Sequence, residues 1–138
     1  MHVEVLMVAN GAAVENGLLA VAGGGWETYS PALFPATLRG SVAGIVTLSE
    51  DELGESHVLS FSVTDSGGHV DSSSGSTIIS GIRPKTVPGV PIRAPFDIPF
   101  STVVRDSTVV NVGVSEGTAE LAAVTFAVLD PIPSSLAG

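Results

Sequence analysis

The sequence predicts an all-β protein: a single antiparallel β-sandwich, jelly-roll or immunoglobulin-like, of about eight strands. The first observation is alternation, because apolar residues such as Leu59, Phe61 and Val63 occupy every second position, the period of a half-buried strand. The second is composition, since β-branched and small residues dominate these stretches while strong helix formers other than Ala and Leu are scarce. The third is the recurrence of turn signals between them. Short alternating strands separated by turns are typical of a sandwich.

Breaks in the alternation place the individual strands. The expected strands lie at residues 2–9, 17–29, 37–48, 56–64, 69–82, 92–104, 108–115 and 119–129. Asn16 and Gly17 suit a two-residue hairpin turn, and the segment DSGG at 65–68 suits another. Pro95 and Pro99 cannot donate to a strand ladder, so their strand is expected at a sheet edge or with a bulge.

The length of the chain and its lack of cysteine limit the possible domain organisation. A chain of 138 residues fits one domain that buries roughly two thirds of its unfolded surface. We expect a sandwich domain over 1–130, a flexible tail over 131–138, and a crossover between sheets in the Pro-rich segment 83–91. The absence of cysteine excludes disulfides, thiolate metal sites and a cysteine nucleophile.

The charge balance restricts the partners. The chain carries 14 acidic and 5 basic residues, for a net charge of −9. Nucleic-acid binding needs clustered cations, so neither nucleic acid nor an anionic membrane is an expected partner. The amino-terminal apolar run contains Glu4 and has no basic leader, unlike a secretory signal. No stretch approaches the roughly 18 apolar residues of a membrane span, so we expect a cytoplasmic protein without membrane insertion.

Three consecutive glycines, Gly23, Gly24 and Gly25, precede the single tryptophan, Trp26. A phosphate-binding loop would need these glycines between a strand and the start of a helix, and Pro31 follows too soon for that. Glycines between strand-like flanks instead favour a β-bulge, or a sharp coil that carries the chain from one sheet to the other. We therefore expect a structural role for the glycines and a core position for Trp26.

A carbohydrate or small-ligand site is the alternative for this region. Trp26, Glu27 and Tyr29 could form a stacking platform with polar handles. In an unbroken strand, residues 26 and 29 point to opposite faces, and only a bulge would bring them together. We therefore rank the interpretation of Trp26 as a packed core residue first and the stacking platform second.

Two clusters could in principle hold metal ions. Calcium would suit the acidic loop of Glu50, Asp51, Glu52 and Glu55, but the loop lacks the alternating spacing of calcium-binding loops. A transition metal would suit the other cluster, which consists of Asp65, His69 and Asp71. Turn formation explains this second cluster equally well, so no metal site and no cofactor is predicted.

Catalytic serine chemistry has weak support in the sequence. The segment GSVAG at 40–44 is not a Gly-x-Ser-x-Gly elbow, and SSSGS at 72–76 is a run of small residues. His2 and His57 occupy strand positions and need no catalytic role. The protein is predicted not to be an enzyme.

The segments VEVLMVAN, GLLAVAGGGWETYSPALFPA, GESHVLSFSVTDSGG and PIRAPFDIPF occur in an order that resembles a family of small uncharacterised bacterial proteins. In that family a Gly-Gly-Trp strand end leads into a Pro-x-x-Phe-Pro-Ala connection, which residues 22–36 resemble most specifically. The resemblance implies a compact β-sandwich of unassigned function, with a structural Pro35 and no catalytic residues. This chain has RDST at 105–108 where the family tends to have Pro-Gly-x-Tyr.

Two functions remain open at this point. The first is a non-catalytic sandwich that presents its surface or edges to another protein or to copies of itself, for which the apolar segment STIISGI at 76–82 is one candidate. The second is a carbohydrate or small-ligand module built on residues 26–29. Few aromatic residues are available for the second, so we rank protein interaction first.

Overall fold

The computed structural model describes residues 1–80 and 89–131 and confirms the all-β sandwich. A single turn of 3₁₀ helix, Glu50–Glu52, follows the fourth strand. The nine strands of the described residues are β1 His2–Glu15, β2 Leu18–Gly24, β3 Thr28–Tyr29, β4 Ala36–Leu48, β5 Ser56–Asp65, β6 Ser73–Ser80, β7 Ile92–Val104, β8 Thr108–Glu116 and β9 Ala119–Val128.

The strands form two packed sheets. The first sheet has the order β2-β1-β4-β7, and the second has the order β3-β9-β8-β5-β6. Neighbouring strands are antiparallel except for β3, whose two residues pair in parallel with β9. The edge position expected for the strand with Pro95 and Pro99 is confirmed, since β7 ends the first sheet.

The core lies between the sheets and is built by the alternation seen in the sequence. On β5, His57, Leu59, Phe61 and Val63 are buried while the residues between them face outwards. Burial of each large apolar side chain contributes about 1.5–3 kcal/mol. The other strands supply Leu38, Val42 and Val46 from β4, Phe96, Ile98 and Phe100 from β7, Val110, Val112 and Val114 from β8, and Phe126 and Val128 from β9.

Three strand boundaries differ from the sequence-based expectation. β1 continues to Glu15 instead of ending at residue 9, because its second half pairs with β2. The single strand expected at 17–29 is divided into β2 and β3, which belong to different sheets. The strand expected from residue 69 begins at Ser73, since Val70 forms a bridge with Val104 of the opposite sheet.

Two expectations concern residues beyond those described. Residues 83–88 of the expected crossover at 83–91 lie outside the described residues. The same holds for residues 132–138 of the expected tail at 131–138. Within the described part of the chain, no helix combines the length and apolar character needed to cross a membrane.

Candidate functional site

The three glycines lie where the chain crosses from the first sheet to the second. β2 ends at Gly24, and the chain joins the second sheet at Thr28, where β3 begins. Gly23 and Gly25 have φ angles of 60° and 78°, in the left-handed region that favours glycine. The backbone N–H groups of Gly25 and Trp26 both donate to the carbonyl of Val8, at 3.0 and 3.2 Å. The segment is thus a sharp inter-sheet connection, and it is followed by the short strand β3 rather than by a helix.

Trp26 packs against the core at the end of this connection. Its indole N–H donates to Asn10 Oδ1 at 3.0 Å and to the carbonyl of Gly23 at 3.1 Å. The ring centroid lies 5.4 Å from that of Phe126 in an edge-to-face arrangement. On its face, the indole stacks with Tyr29 at a centroid distance of 5.5 Å and an interplanar angle of 21°. The half-buried tryptophan therefore has hydrogen-bond partners for its polar atom and aromatic partners for its ring.

The connection also brings together side chains that an unbroken strand would separate. Trp26 and Tyr29 lie on one side because the chain is coiled between them, whereas a regular strand would place them on opposite faces. Tyr29 covers one face of the indole, so that face is not available to a stacked sugar. The Glu27 carbonyl accepts a hydrogen bond from Ala127 N at 2.9 Å, while the side chain of Glu27 is exposed. Pro35 is exposed and follows a cis peptide bond.

The acidic loop after β4 is organised around Glu52. Its carboxylate accepts hydrogen bonds from the backbone N–H and the hydroxyl of Ser49, at 3.0 and 2.9 Å, and contacts the ammonium group of Met1. The ammonium group, followed by Ser49, lowers the pKa of Glu52 to about 2. The other three acidic residues of the loop, Glu50, Asp51 and Glu55, are exposed to solvent. Glu52 thus caps the 3₁₀ helix and anchors the loop.

The second cluster considered for a metal forms a turn. The Asp65 carboxylate accepts hydrogen bonds from the backbone N–H groups of His69 and Val70, at 3.0 and 3.2 Å, and from the Thr108 hydroxyl at 2.8 Å. Asp71 instead forms a bidentate ion pair with Arg105. Asp65, His69 and Asp71 do not converge, and no group of three potential ligand side chains occurs among the described residues.

His57 makes contacts that the sequence does not reveal. The side chain is buried, with Nδ1 2.6 Å from Glu116 Oε2 and Nε2 2.9 Å from the carbonyl of Glu52. Both neighbours only accept hydrogen bonds, so the doubly protonated imidazolium is the form that satisfies both. The carbonyl of Glu52, followed by the Glu116 carboxylate, raises the pKa of His57. His57 therefore ties the acidic loop to β8, where sequence reasoning assigned it no role.

The serine segments lie within strands. Ser41 of GSVAG is buried in the middle of β4, between β1 and β7. Most of the segment SSSGS belongs to β6, the terminal strand of the second sheet. Neither serine segment lies on the sharp strand-to-helix turn that exposes a catalytic serine.

A β-ribbon formed by residues 10–24, here called the arm, is an exposed apolar feature of the described part of the chain. β1 pairs with β4 only as far as Ala9, and the rest of β1 pairs with β2 alone. The turn of the arm has positive φ angles at Asn16 and Gly17, as the primed two-residue hairpin turns require. Three large apolar side chains of the arm are exposed: Leu18 by 72%, Val14 by 41% and Val21 by 39%. Its one charged residue is Glu15.

The outer edge of β2 is open to pairing. No described residue pairs with β2 on the side away from β1. Natural edge strands are usually protected by charged residues, proline or bulges, yet LLAVAGG contains no charge and no proline. The edge of β2 is therefore a surface that favours addition of another strand.

The strand that the sequence singled out for association, β6, is also at a sheet edge. It ends the second sheet beside β5. Ile78 is 65% exposed and lies opposite Val58, which is also exposed, on the outer face. This pair is surrounded by serine residues.

No protein-family model and no curated protein sequence matches this chain. The resemblance of residues 22–36 to a family of small bacterial proteins stays a prediction.

Proposed function

We propose that this protein is a non-catalytic β-sandwich domain that acts through protein–protein interaction, with the arm as its contact surface. The observation that carries the proposal is the unprotected edge of β2, which combines exposed apolar side chains with free backbone hydrogen-bonding groups. Leaving such an edge uncovered favours aggregation, so a functional partner is the simplest reason for its presence.

The distribution of charge supports this choice. The chain has 19 charged residues, from 14 acidic and 5 basic, but residues 5–26 contain one, Glu15. Charged residues are depleted at the centres of protein interfaces, whereas nucleic acids require clustered cations. We propose that this surface binds a protein, and that it does so in the cytoplasm.

A carbohydrate or small-ligand module is the second candidate, and the juxtaposition of Trp26 and Tyr29 is the observation in its favour. The stacking of the two rings on each other reduces the aromatic area left for a sugar, which places this function second. Because Trp26 is the single tryptophan, its fluorescence reports directly on that site. A saturable change in fluorescence with a mono- or disaccharide would favour this function over protein interaction.

Site-specific photo-crosslinking in cells tests the proposed function. A photoreactive amino acid at Leu18, at the exposed end of β2, is expected to give a discrete crosslinked species. The same amino acid at Ala123, an exposed position on β9 of the other sheet, is the matched control and is expected to give none. Equal crosslinking at both positions, or none at Leu18, would contradict the proposal.

A further inference from the structure

The outer edge of β2 is complementary to itself, and we infer that it pairs antiparallel with the β2 edge of a second copy of this chain. This inference rests on the proposed function and identifies its partner. The two copies would be related by a two-fold axis through Ala20, so that the two first sheets join into one continuous sheet.

The backbone of β2 has the alternation that such pairing needs. A two-residue turn is closed by a hydrogen-bonded pair, here Glu15 and Leu18, so every second residue of β2 bonds to β1. Leu19 and Val21 therefore direct their N–H and C=O groups to the open edge. An axis through Ala20 places Leu19 of each copy opposite Val21 of the other, which allows roughly four hydrogen bonds between the copies.

The side chains on one face of the arm fit the same register. Residues 11–13 and 20–22, all of them Gly or Ala except Val21, line a shallow apolar depression of about 340 Å³. Leu18 protrudes beside it and is 72% exposed. With the axis through Ala20, Leu18 of each copy lies opposite Ala22 of the other and over its depression. In the two-fold pair, Leu18 of each copy therefore fills the depression on the other copy.

Charge favours a second copy over a basic partner. The arm carries a single charge, Glu15, which lies opposite Leu18 and away from the proposed axis. From the strand rise and strand spacing, the two Glu15 residues would be roughly 20 Å apart. This distance exceeds the screening length of about 8 Å at physiological salt. The arm is thus a surface where two chains of net charge −9 can meet without close repulsion, whereas a basic partner would gain little from it.

The size of the edge sets the expected affinity. β2 has seven residues, so the contact is smaller than a standard interface of about 1,600 Å². We therefore expect a reversible dimer with a dissociation constant in the micromolar range.

Sedimentation velocity on the full chain over a range of concentrations tests the inference. The parent is expected to show a monomer–dimer equilibrium that high salt does not weaken. Ala20→Lys should weaken the dimer roughly a hundredfold, because two like charges would face each other across the axis. Ala20→Glu should do the same, and a mixture of the two variants should form a heterodimer. Ala123→Lys is the matched control and should dimerise like the parent.

Mixing Ala20→Lys with Ala20→Glu distinguishes a loss of pairing from a loss of folding. A misfolded arm would not form a heterodimer with an oppositely charged partner. A parent that is monomeric at every concentration, a dimer that Ala20→Lys leaves intact, or a mixture that stays monomeric would each overturn the inference. If Leu18 crosslinks to a different protein in cells while the purified chain is monomeric, the inference fails and the proposed function stands. If there is neither a crosslink nor a dimer, both fail.

Discussion

Gly23 shows how a single backbone conformation supports the inter-sheet connection. Its φ of 60° suits glycine, and a Cβ at this position would collide with the side-chain amide of Asn10. That amide group belongs to the side chain that accepts the indole N–H of Trp26. One added methyl group would therefore disturb the backbone and the packing of the tryptophan together.

We expect Gly23→Ala to lower the free energy of unfolding by about 1–3 kcal/mol, from strain at a left-handed φ and displacement of Asn10. Gly11→Ala is the matched control in the same arm, since a Cβ there meets nothing within 4 Å and its φ is not left-handed. The control should be neutral or more stable by up to about 1 kcal/mol. Urea unfolding midpoints measure both variants, and equal effects would contradict the structural role of Gly23.

Trp26 is the second residue whose role can be measured directly. Its ring contacts Tyr29, Phe100 and Phe126, so Trp26→Ala should cost about 3–5 kcal/mol of unfolding free energy. Trp26→Phe keeps an aromatic ring and loses the indole donor, so it should cost less, with about 1 kcal/mol from the hydrogen bond. Unfolding followed by far-ultraviolet circular dichroism measures both. A ligand platform would give a change within about 0.5 kcal/mol for Trp26→Ala.

Among the elements, the connection after β5 depends on one carboxylate. Burial raises the pKa of Asp65, but the hydrogen bonds from His69, Thr108 and Val70 lower it more, so the net shift is downward. The carboxylate therefore holds the turn at the end of β5 and links it to β8.

Replacing Asp65 by Ala should lower the free energy of unfolding by about 1–3 kcal/mol, because two backbone N–H groups and the Thr108 hydroxyl lose their acceptor. Asp51→Ala removes an exposed carboxylate of the acidic loop and should change it by at most about 0.5 kcal/mol. Thermal and urea unfolding of the two variants test the difference. A stability unchanged by Asp65→Ala would show that water replaces the carboxylate without cost.

His57 and Glu52 make the stability of the protein depend on pH, His57 towards alkaline pH and Glu52 towards acidic pH. The pKa of His57 is raised in the folded state, so its contribution is fully present below about 6.5 and is lost as the pH rises through the raised value. The pKa of Glu52 is lowered from 4.5 to about 2, so its contribution is present above 4.5 and is lost as the pH falls towards 2. These two groups favour greatest stability between their unfolded-state pKa values.

We expect the urea midpoint of the parent to decline as the pH rises from the weakly acidic range into the alkaline range. Glu116→Gln removes the carboxylate beside His57, so its alkaline decline should be smaller. The imidazole signals of His57 in NMR spectra would report the raised pKa directly and its decrease in the variant. Parallel pH profiles for the two proteins would show that His57 does not carry this dependence.

Features that depend on neighbouring residues can be predicted from the amino-acid sequence alone. The alternation of Leu59, Phe61 and Val63 predicts which side of β5 is buried, because successive side chains of a strand point to opposite faces. Asn16–Gly17 predicts a tight turn, and Gly23–Gly25 predict a bulge or an inter-sheet connection, because few other residues adopt positive φ without strain. These signals gave the sandwich and most strand positions.

Contacts between distant segments follow from the three-dimensional fold and from no local sequence pattern. His57 and Glu116 are 59 residues apart, and no local pattern connects them. The second half of β1 is a run of small residues without alternation, so its strand character follows from pairing with β2 rather than from its own sequence. The arm and its open edge become visible only when the sheet order is known, because the edge of a sheet is a property of all its strands together.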